Sequence, residues 1–377
     1  MGIAKNGYYT TKDILQHKAQ YNIVYSARSD GKSFDVKRLA LSESWQTKKA
    51  LFGLIRRWKD DIETSLVNAY FVERNVNLIK EVTNGECDCI DYYRKFLWFS
   101  RTNAEGKIEH VQKCGEVFAL NIANKRYKST GHPEIKYLVY EEFLTDEGYL
   151  PNEPDKLQNL ISSIGRKDDL IIFLLGNKVS RVCPYFTEWS LKNIKKQKEG
   201  TIDDYYHETE EVDEEGKPVI IHIAVEHSAP SPKKSKMFFG RAEKSIQGGS
   251  WQTGNYPKLP EPFESYEKIY ELTYISISQF AFKVVLLCHK INSDLIVFVY
   301  PSKAPKSFYE KPNEETEERY ITGSFSTNIF VTPTLNKESP VECLIHNLFI
   351  DNKVCYSDNL CGEDFTQSCK AELKYPF

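Results

Sequence analysis

Tyr21-Asn22-Ile23-Val24-Tyr25-Ser26-Ala27-Arg28-Ser29-Asp30-Gly31-Lys32-Ser33 is the stretch on which the fold turns. Its apolar run predicts a strand over 21–25, its Ser/Gly-rich centre a turn, and the residues from Lys32 onward a helix. Residues 26–33 fit the phosphate-binding pattern GxxxxGK[ST], with Ser26 standing where the first glycine is usual. In such a loop the backbone N–H groups of Ser26, Ala27, Arg28, Ser29, Asp30 and Gly31 cradle phosphate oxygens at a helix N-terminus. Lys32 would neutralise the β- and γ-phosphates, and the Ser33 hydroxyl would ligate Mg²⁺. Gly31 allows close backbone approach. The plain alternative is a chance GKS at an ordinary strand–helix junction.

Outward from the loop, strands and helices alternate. Leu51–Ile55 reads as a second strand, and Ile62, Leu66, Ala69 and Tyr70 recur at helical spacing. Residues 89–122 are rich in Tyr, Phe, Trp and Val around an Asn103–Gly106 turn, which predicts a β-rich insertion. Tyr137–Tyr140 and Leu170–Leu175 are continuous apolar runs, as expected of strands buried on both faces of a parallel sheet, with a helix over about 155–164 between them. This alternation predicts an α/β domain.

Chemistry-bearing residues fall at the strand ends. Tyr137–Tyr140 runs into Glu141-Glu142, the form of a Walker B element: Glu141 would hold Mg²⁺ through water, and Glu142 would deprotonate the attacking water. An aspartate is usual at the first place, and Glu141 is one methylene longer. Asn177, after the 170–175 strand, stands where a sensor would meet the γ-phosphate, though Asn in that position is also an ordinary turn residue. Arg166, after the 155–164 helix, is a candidate arginine finger reaching a neighbouring subunit's nucleotide. Arg56, Arg57 and Lys59 form a basic cluster at a strand end, suited to DNA phosphates or a neighbour's nucleotide; the bland reading is a solvated charged face.

Composition narrows the class further. The chain has 377 residues, 50 basic against 53 acidic, so a net charge of −3 excludes coating of nucleic acid by bulk electrostatics. Any such contact must come from local patches. No apolar run approaches the ~18 residues of a membrane span, and the first residues lack a signal-peptide pattern. Nine cysteines without CxxC pairs predict free thiols in a reducing compartment rather than zinc ligation. Residues 203–215 (DDYYHETEEVDEE) carry eight acids and no base, and SAPSPKKSK follows, so 199–258 reads as a linker or connector. From about Tyr270 the chain turns β-rich, with a hairpin at Asn292-Ser293-Asp294.

Taken in order, IVYSARSDGKS, LIRRWK, YLVYEEF, YLPNE, LLGN and CPYF resemble the DNA-encapsidation ATPases of phi29-like short-tailed bacteriophages. The likeness covers about the first 200 residues well and the rest loosely. It implies a RecA-like (ASCE) P-loop ATPase domain over 1–198, a connector over 199–258, and a β-rich α/β domain over 259–377 resembling an inactive RNase H-like nuclease. It further implies ATP and Mg²⁺ as cofactors, and ATP-driven translocation of double-stranded viral DNA into a preformed capsid. The partners implied are a homo-oligomeric ring, five-membered by resemblance, a capsid portal, and in some relatives a packaging RNA, with no membrane. The setting implied is the host cytoplasm during phage assembly. Lys32, Glu142, Arg166 and Lys59 take catalytic places, the last two acting across a subunit interface, and Arg28 matches a family arginine inside the loop. Where relatives can place a basic residue after Walker B, this chain reads Thr145-Asp146-Glu147. Two other readings stand beside this one: a terminase with an active C-terminal nuclease, and a nucleotide-binding DNA scaffold without turnover. Asp294, Asp351, Asp358 and Asp364 are the acids a nuclease could draw on, and the expectation is that they do not converge and that the chain does not cut DNA.

Overall fold

The strands expected around the phosphate loop assemble edge to edge in a computed structural model. It describes residues 8–28, 30–73, 76–123, 132, 134–165, 170–212, 215–229, 251, 253–276, 280–303, 320–321 and 339–374. Two compact units result. The first comprises 1–144, 152–178 and 193–250; the second comprises 145–151, 179–192 and 251–377.

In the first unit the strands are β1 (Tyr21–Ser26), β2 (Phe52–Arg56), β3 (Cys89–Tyr93), β4 (Phe96–Thr102), β5 (Ile108–Ala119), β6 (Tyr137–Glu141), β7 (Ile171–Asn177), β8 (Thr201–Val212) and β9 (Pro218–His227). They form one nine-stranded sheet in the order β3-β4-β5-β2-β6-β7-β1-β9-β8. From β5 through β9 every neighbouring pair is parallel. Parallel strands end on one edge, so the carboxyl ends of β1, β2, β6 and β7 share it, with Ser26 level with Asn177 and Glu141 level with Leu175. Strand β7 lies between β1 and β6. The central strands are mostly apolar, with Asn22 of β1 a buried exception, as expected where both faces are covered. Among the described residues, helices α1 (Lys12–Gln16), α2 (Lys32–Thr47), α3 (Thr64–Tyr70), α4 (Leu78–Val82) and α5 (Glu153–Ile164) belong to this unit. Val36, Ala40 and Leu41 of α2 pack on Val24, Leu54, Val139 and Phe173, which roots the loop's helix in the sheet. Each of the Val, Leu and Phe side chains, fully buried, stabilises by about 1.5–3 kcal/mol.

The connector expected over 199–258 is corrected in its first part. Residues 201–212 form β8 and 218–227 form β9, and β9 pairs directly with β1. The acid-rich run is a strand because its alternate residues Tyr205, His207 and Thr209 are half-buried while Asp204, Tyr206, Glu208 and Glu210 are exposed. Charge on an outermost strand also discourages edge-to-edge pairing with another chain. Lys233, Lys234, Lys236, Arg241 and Lys244, a basic cluster in the sequence suited to a nucleic-acid backbone or a structural partner, lie outside the described residues.

The second unit holds α6 (Pro184–Glu188), α7 (Pro340–Ile350) and α8 (Asn359–Lys374) with a five-stranded sheet. Strands β10 (Tyr266–Ile275), β11 (Ala281–His289) and β12 (Leu295–Ser302) make an antiparallel meander. Strand β13 (Tyr320–Ile321) joins β10 in parallel, and β14 (Val354–Tyr356) joins β12 in parallel. The expected hairpin at 292–294 is present, with Ser293 at φ 60. The core of this unit stacks Phe365 on Phe349 and sets it edge-on against Tyr274 and Phe282. The four aspartates singled out earlier have structural partners or places. Asp294 sits in the hairpin turn, Asp351 ends α7, Asp358 accepts from the Cys361 N–H at the start of α8, and buried Asp364 is paired with Arg181.

No helix among the described residues is long and apolar enough to cross a membrane.

Candidate nucleotide site

The carboxyl edge of the large sheet carries a cavity of about 900 Å³, within the range of small-molecule pockets. Lys32, Ser33, Arg56, Glu141, Glu142 and Asn177 all line it. Three strand ends, those of β2, β6 and β7, and the start of α2 therefore meet at one opening.

The loop explains its own departure from the usual pattern. Ser26 is fully buried, and its hydroxyl accepts from Lys32 Nζ at 2.8 Å while donating to the Ala27 carbonyl at 2.8 Å. Lys32 Nζ also donates to the Ala27 carbonyl at 3.0 Å and to Asn177 Oδ1 at 3.4 Å. Serine in place of glycine thus supplies an acceptor that aims the lysine. Gly31 has φ 93, a left-handed conformation that favours glycine, and a Cβ there would also press Tyr8 Cβ at 3.3 Å. Burial pushes the Lys32 ammonium down to about 8, although Asp30 and Glu141 pull the other way. Arg28 is exposed, whereas Ser29 is outside the described residues.

Glu141 ends β6 nearly buried, and the Tyr70 hydroxyl donates to its Oε1 at 2.6 Å. Glu142 follows at φ 55, a left-handed conformation unusual for a side-chain-bearing residue. Its side chain is 73% exposed, and its Oε2 lies 3.9 Å from Arg56 Nη1. The strained turn puts two consecutive carboxylates into one cavity, where an extended strand would send them to opposite faces.

Arg57 does not take the DNA-facing place expected for it. It is 7% exposed, donates to the Glu142 and Phe143 carbonyls at 3.1 and 2.8 Å, and pairs with fully buried Glu153 at 2.9 Å. Tyr140 donates to the same carboxylate at 2.7 Å. A guanidinium enclosed in this way clamps the turn that carries Glu142 and cannot reach a phosphate backbone. Arg56 is half-buried beside Glu142, and Lys59 is exposed at the start of a short 3₁₀ turn, Lys59–Asp61. Arg166 lies outside the described residues.

Several residues of the site carry no motif. Lys178 is buried, donates to Glu199 at 3.0 Å and lies 2.9 Å from His227 Nε2; burial lowers its pKa against the pull of Glu199. Its N–H bonds the Ser26 carbonyl, tying the end of β7 to the loop. Lys37, one turn beyond Ser33 on α2, donates to the Tyr70 carbonyl and to Glu73. Helical spacing marked Tyr70 only as a packing residue. Gln20 and Tyr21, which precede or begin β1, sit at the opposite end of that strand from the loop.

The donors available to a divalent cation here are hydroxyl and carboxylate oxygens, hard ligands of few protein bonds, which suits Mg²⁺. Strand order gives a mixed α/β fold with a large, mainly parallel sheet, whose carboxyl edge brings an ammonium, two carboxylates and an amide to one cavity. Residues 3–209 match the family model of the Podovirus DNA encapsidation protein (Gp16). The chain belongs to that family. It is 26% identical over 191 residues to the DNA packaging protein of Bacillus phage phi29 and, equally, to that of Bacillus phage PZA. These alignments cover 50% of this chain and 51% of the relatives, so they span about half the length of the curated proteins matched. Among solved structures, the bacteriophage Phi-29 viral genome packaging motor assembly aligns at 17% identity and TM-score 0.49 over 94% of this chain and 95% of that one. The Phi-28 gp11 DNA packaging motor aligns at 18% and 0.46 over 97% and 99%.

Proposed function

We propose that this chain is the ATPase of a DNA-packaging motor, binding ATP with Mg²⁺ at the cavity and using hydrolysis to move double-stranded viral DNA into a capsid. The observation that carries the reading is the convergence of Lys32, Glu141, Glu142 and Asn177 in one cavity, in a chain of the DNA encapsidation family. The insertion of β7 between the loop strand and the acidic strand supports a RecA-like (ASCE) arrangement. The domain reading that follows extends the ATPase unit through β9, and the β10–β12 meander with β13 beside β10 supports the nuclease-like reading of the C-terminal unit.

The residues divide the work. Backbone N–H groups at the α2 start and the Lys32 ammonium bind the phosphates, and Ser33 with Glu141 would hold the metal. Mg²⁺, when bound, offsets charge on the β- and γ-phosphate oxygens. Glu142 accepts the proton of the attacking water, and Asn177 Oδ1 or its amide orients water or phosphate. Lys59 and Arg166 act on a neighbouring subunit's nucleotide, so turnover needs an assembled ring that meets a portal and, in the fullest form of the reading, a packaging RNA. Grip on DNA follows phosphates rather than bases, as a motor that accepts any sequence requires. The work takes place in the infected host cell.

Steady-state ATP hydrolysis with and without long double-stranded DNA tests the reading, beside Glu142→Gln. DNA-stimulated turnover lost in the variant supports it. Absence of nucleotide binding at any protein concentration would sink it.

A further inference from the structure

Glutamate at the first acidic place has one more rotatable bond than the usual aspartate, so its carboxylate needs another restraint to stay in register with a metal. The structure provides one. Tyr70, the last residue of α3, donates its hydroxyl to Glu141 Oε1 at 2.6 Å. The tyrosine is itself held on several sides. Lys37 of α2 places Nζ 4.3 Å from its ring centroid and donates to its backbone carbonyl at 2.6 Å. The Arg56 guanidinium lies 5.1 Å from the ring centroid, and Phe71 packs edge-on at 5.0 Å. Farther back, Asn68 of α3 bonds Asp91 and the Tyr92 N–H, anchoring the helix to β3.

We infer that Tyr70 is a positioning residue for Mg²⁺ binding, fixing the rotation of the longer Glu141 carboxylate so that glutamate does the work an aspartate would do alone. The inference rests on the nucleotide reading of the site. It ties the metal carboxylate to the 59–70 segment, which begins at Lys59, and to the loop helix through Lys37. A hydrogen bond to a charged group contributes enough that its loss should weaken metal binding about tenfold.

The test is a titration of Mn²⁺ by electron paramagnetic resonance, with a non-hydrolysable ATP analogue present, on the wild-type chain, Tyr70→Phe, Glu141→Asp and the double variant. Phenylalanine keeps the ring over which Lys37 and Arg56 lie, and a thermal melt checks that the fold survives. Tyr70→Phe should bind Mn²⁺ about tenfold more weakly while its affinity for the analogue without metal is unchanged. In the Glu141→Asp background the same substitution should have little effect, because the shorter side chain lacks the rotor that Tyr70 restrains. Wild-type Mn²⁺ affinity in Tyr70→Phe, or an equal loss in both backgrounds, overturns the inference and leaves the nucleotide reading standing. Failure of the wild-type chain to bind the analogue at all overturns that reading and this inference with it.

Discussion

Arg57 Nε donates to Glu153 Oε2 at 2.9 Å, and the same guanidinium holds the carbonyls of Glu142 and Phe143. Both side chains are buried, so removing one strands the other's charge. Arg57→Ala should lose about 3–5 kcal/mol in urea unfolding. Arg57→Met with Glu153→Leu should recover much of that stability, yet turnover should stay low because the Glu142 carbonyl has lost its donor. An Arg57→Ala chain as stable as wild type would contradict this account of the clamp.

Lys32, held down at about 8, must be charged to meet phosphate. Nucleotide affinity should therefore fall as pH rises through about 8, approaching tenfold per pH unit above it. Binding at pH 8.5 should take up protons, visible by calorimetry in two buffers of different ionisation enthalpy. Lys32→Arg, whose guanidinium stays charged, should show no such uptake from this position. Affinity unchanged from pH 7 to 9.5 would rule the linkage out.

Glu226 on β9 accepts from the Tyr9 hydroxyl at 3.0 Å, and burial lifts its carboxyl to about 7 from 4.5, with Asp13 adding to the rise and the Tyr9 bond opposing it. The folded chain keeps a proton that the unfolded chain releases. Stability from this group is thus complete below about 4.5 and is lost as pH climbs through 7, by on the order of 3 kcal/mol at most. Glu226→Gln should match wild type near pH 5 and melt higher at pH 8. Parallel melting curves for the two chains would exclude this contribution.

Lys59 is exposed and Arg57 is enclosed, so only the first is placed to exchange counterions with a phosphate backbone. Lys59→Ala should lower the slope of log affinity for double-stranded DNA against log salt by about 1. The stability-restored Arg57→Met, Glu153→Leu pair should leave that slope alone. A slope that responds to the pair and not to Lys59 would reverse the assignment.

Local pattern made much of the large unit legible. The runs at 21–25, 137–140 and 170–175 became β1, β6 and β7 because strands covered on both faces are near-continuous apolar runs. The Gly-Lys-Ser step became a helix start, with Gly31 as a left-handed N-cap at φ 93 that favours glycine. Two elements were hidden for opposite reasons. Strand β8 has strand alternation beneath a charge density that reads as linker. The Arg94-Lys95 turn between β3 and β4 has φ 49 and 70 without the Asn or Gly that announces such a turn.

By itself the sequence determined the loop, the acidic pair, the alternation of strand and helix and the family likeness, since each resides in residues close together along the chain. Tertiary structure alone decided which cations are available and what holds the acids. Neighbouring arginines at 56 and 57 look alike as letters, yet one lines the cavity and the other is enclosed against Glu153, 96 residues away. Tyr70 meets Glu141 across 71 residues in the same way. Burial and hydrogen-bond partnership are properties of which segments pack together, and no periodicity within either segment encodes the other's position.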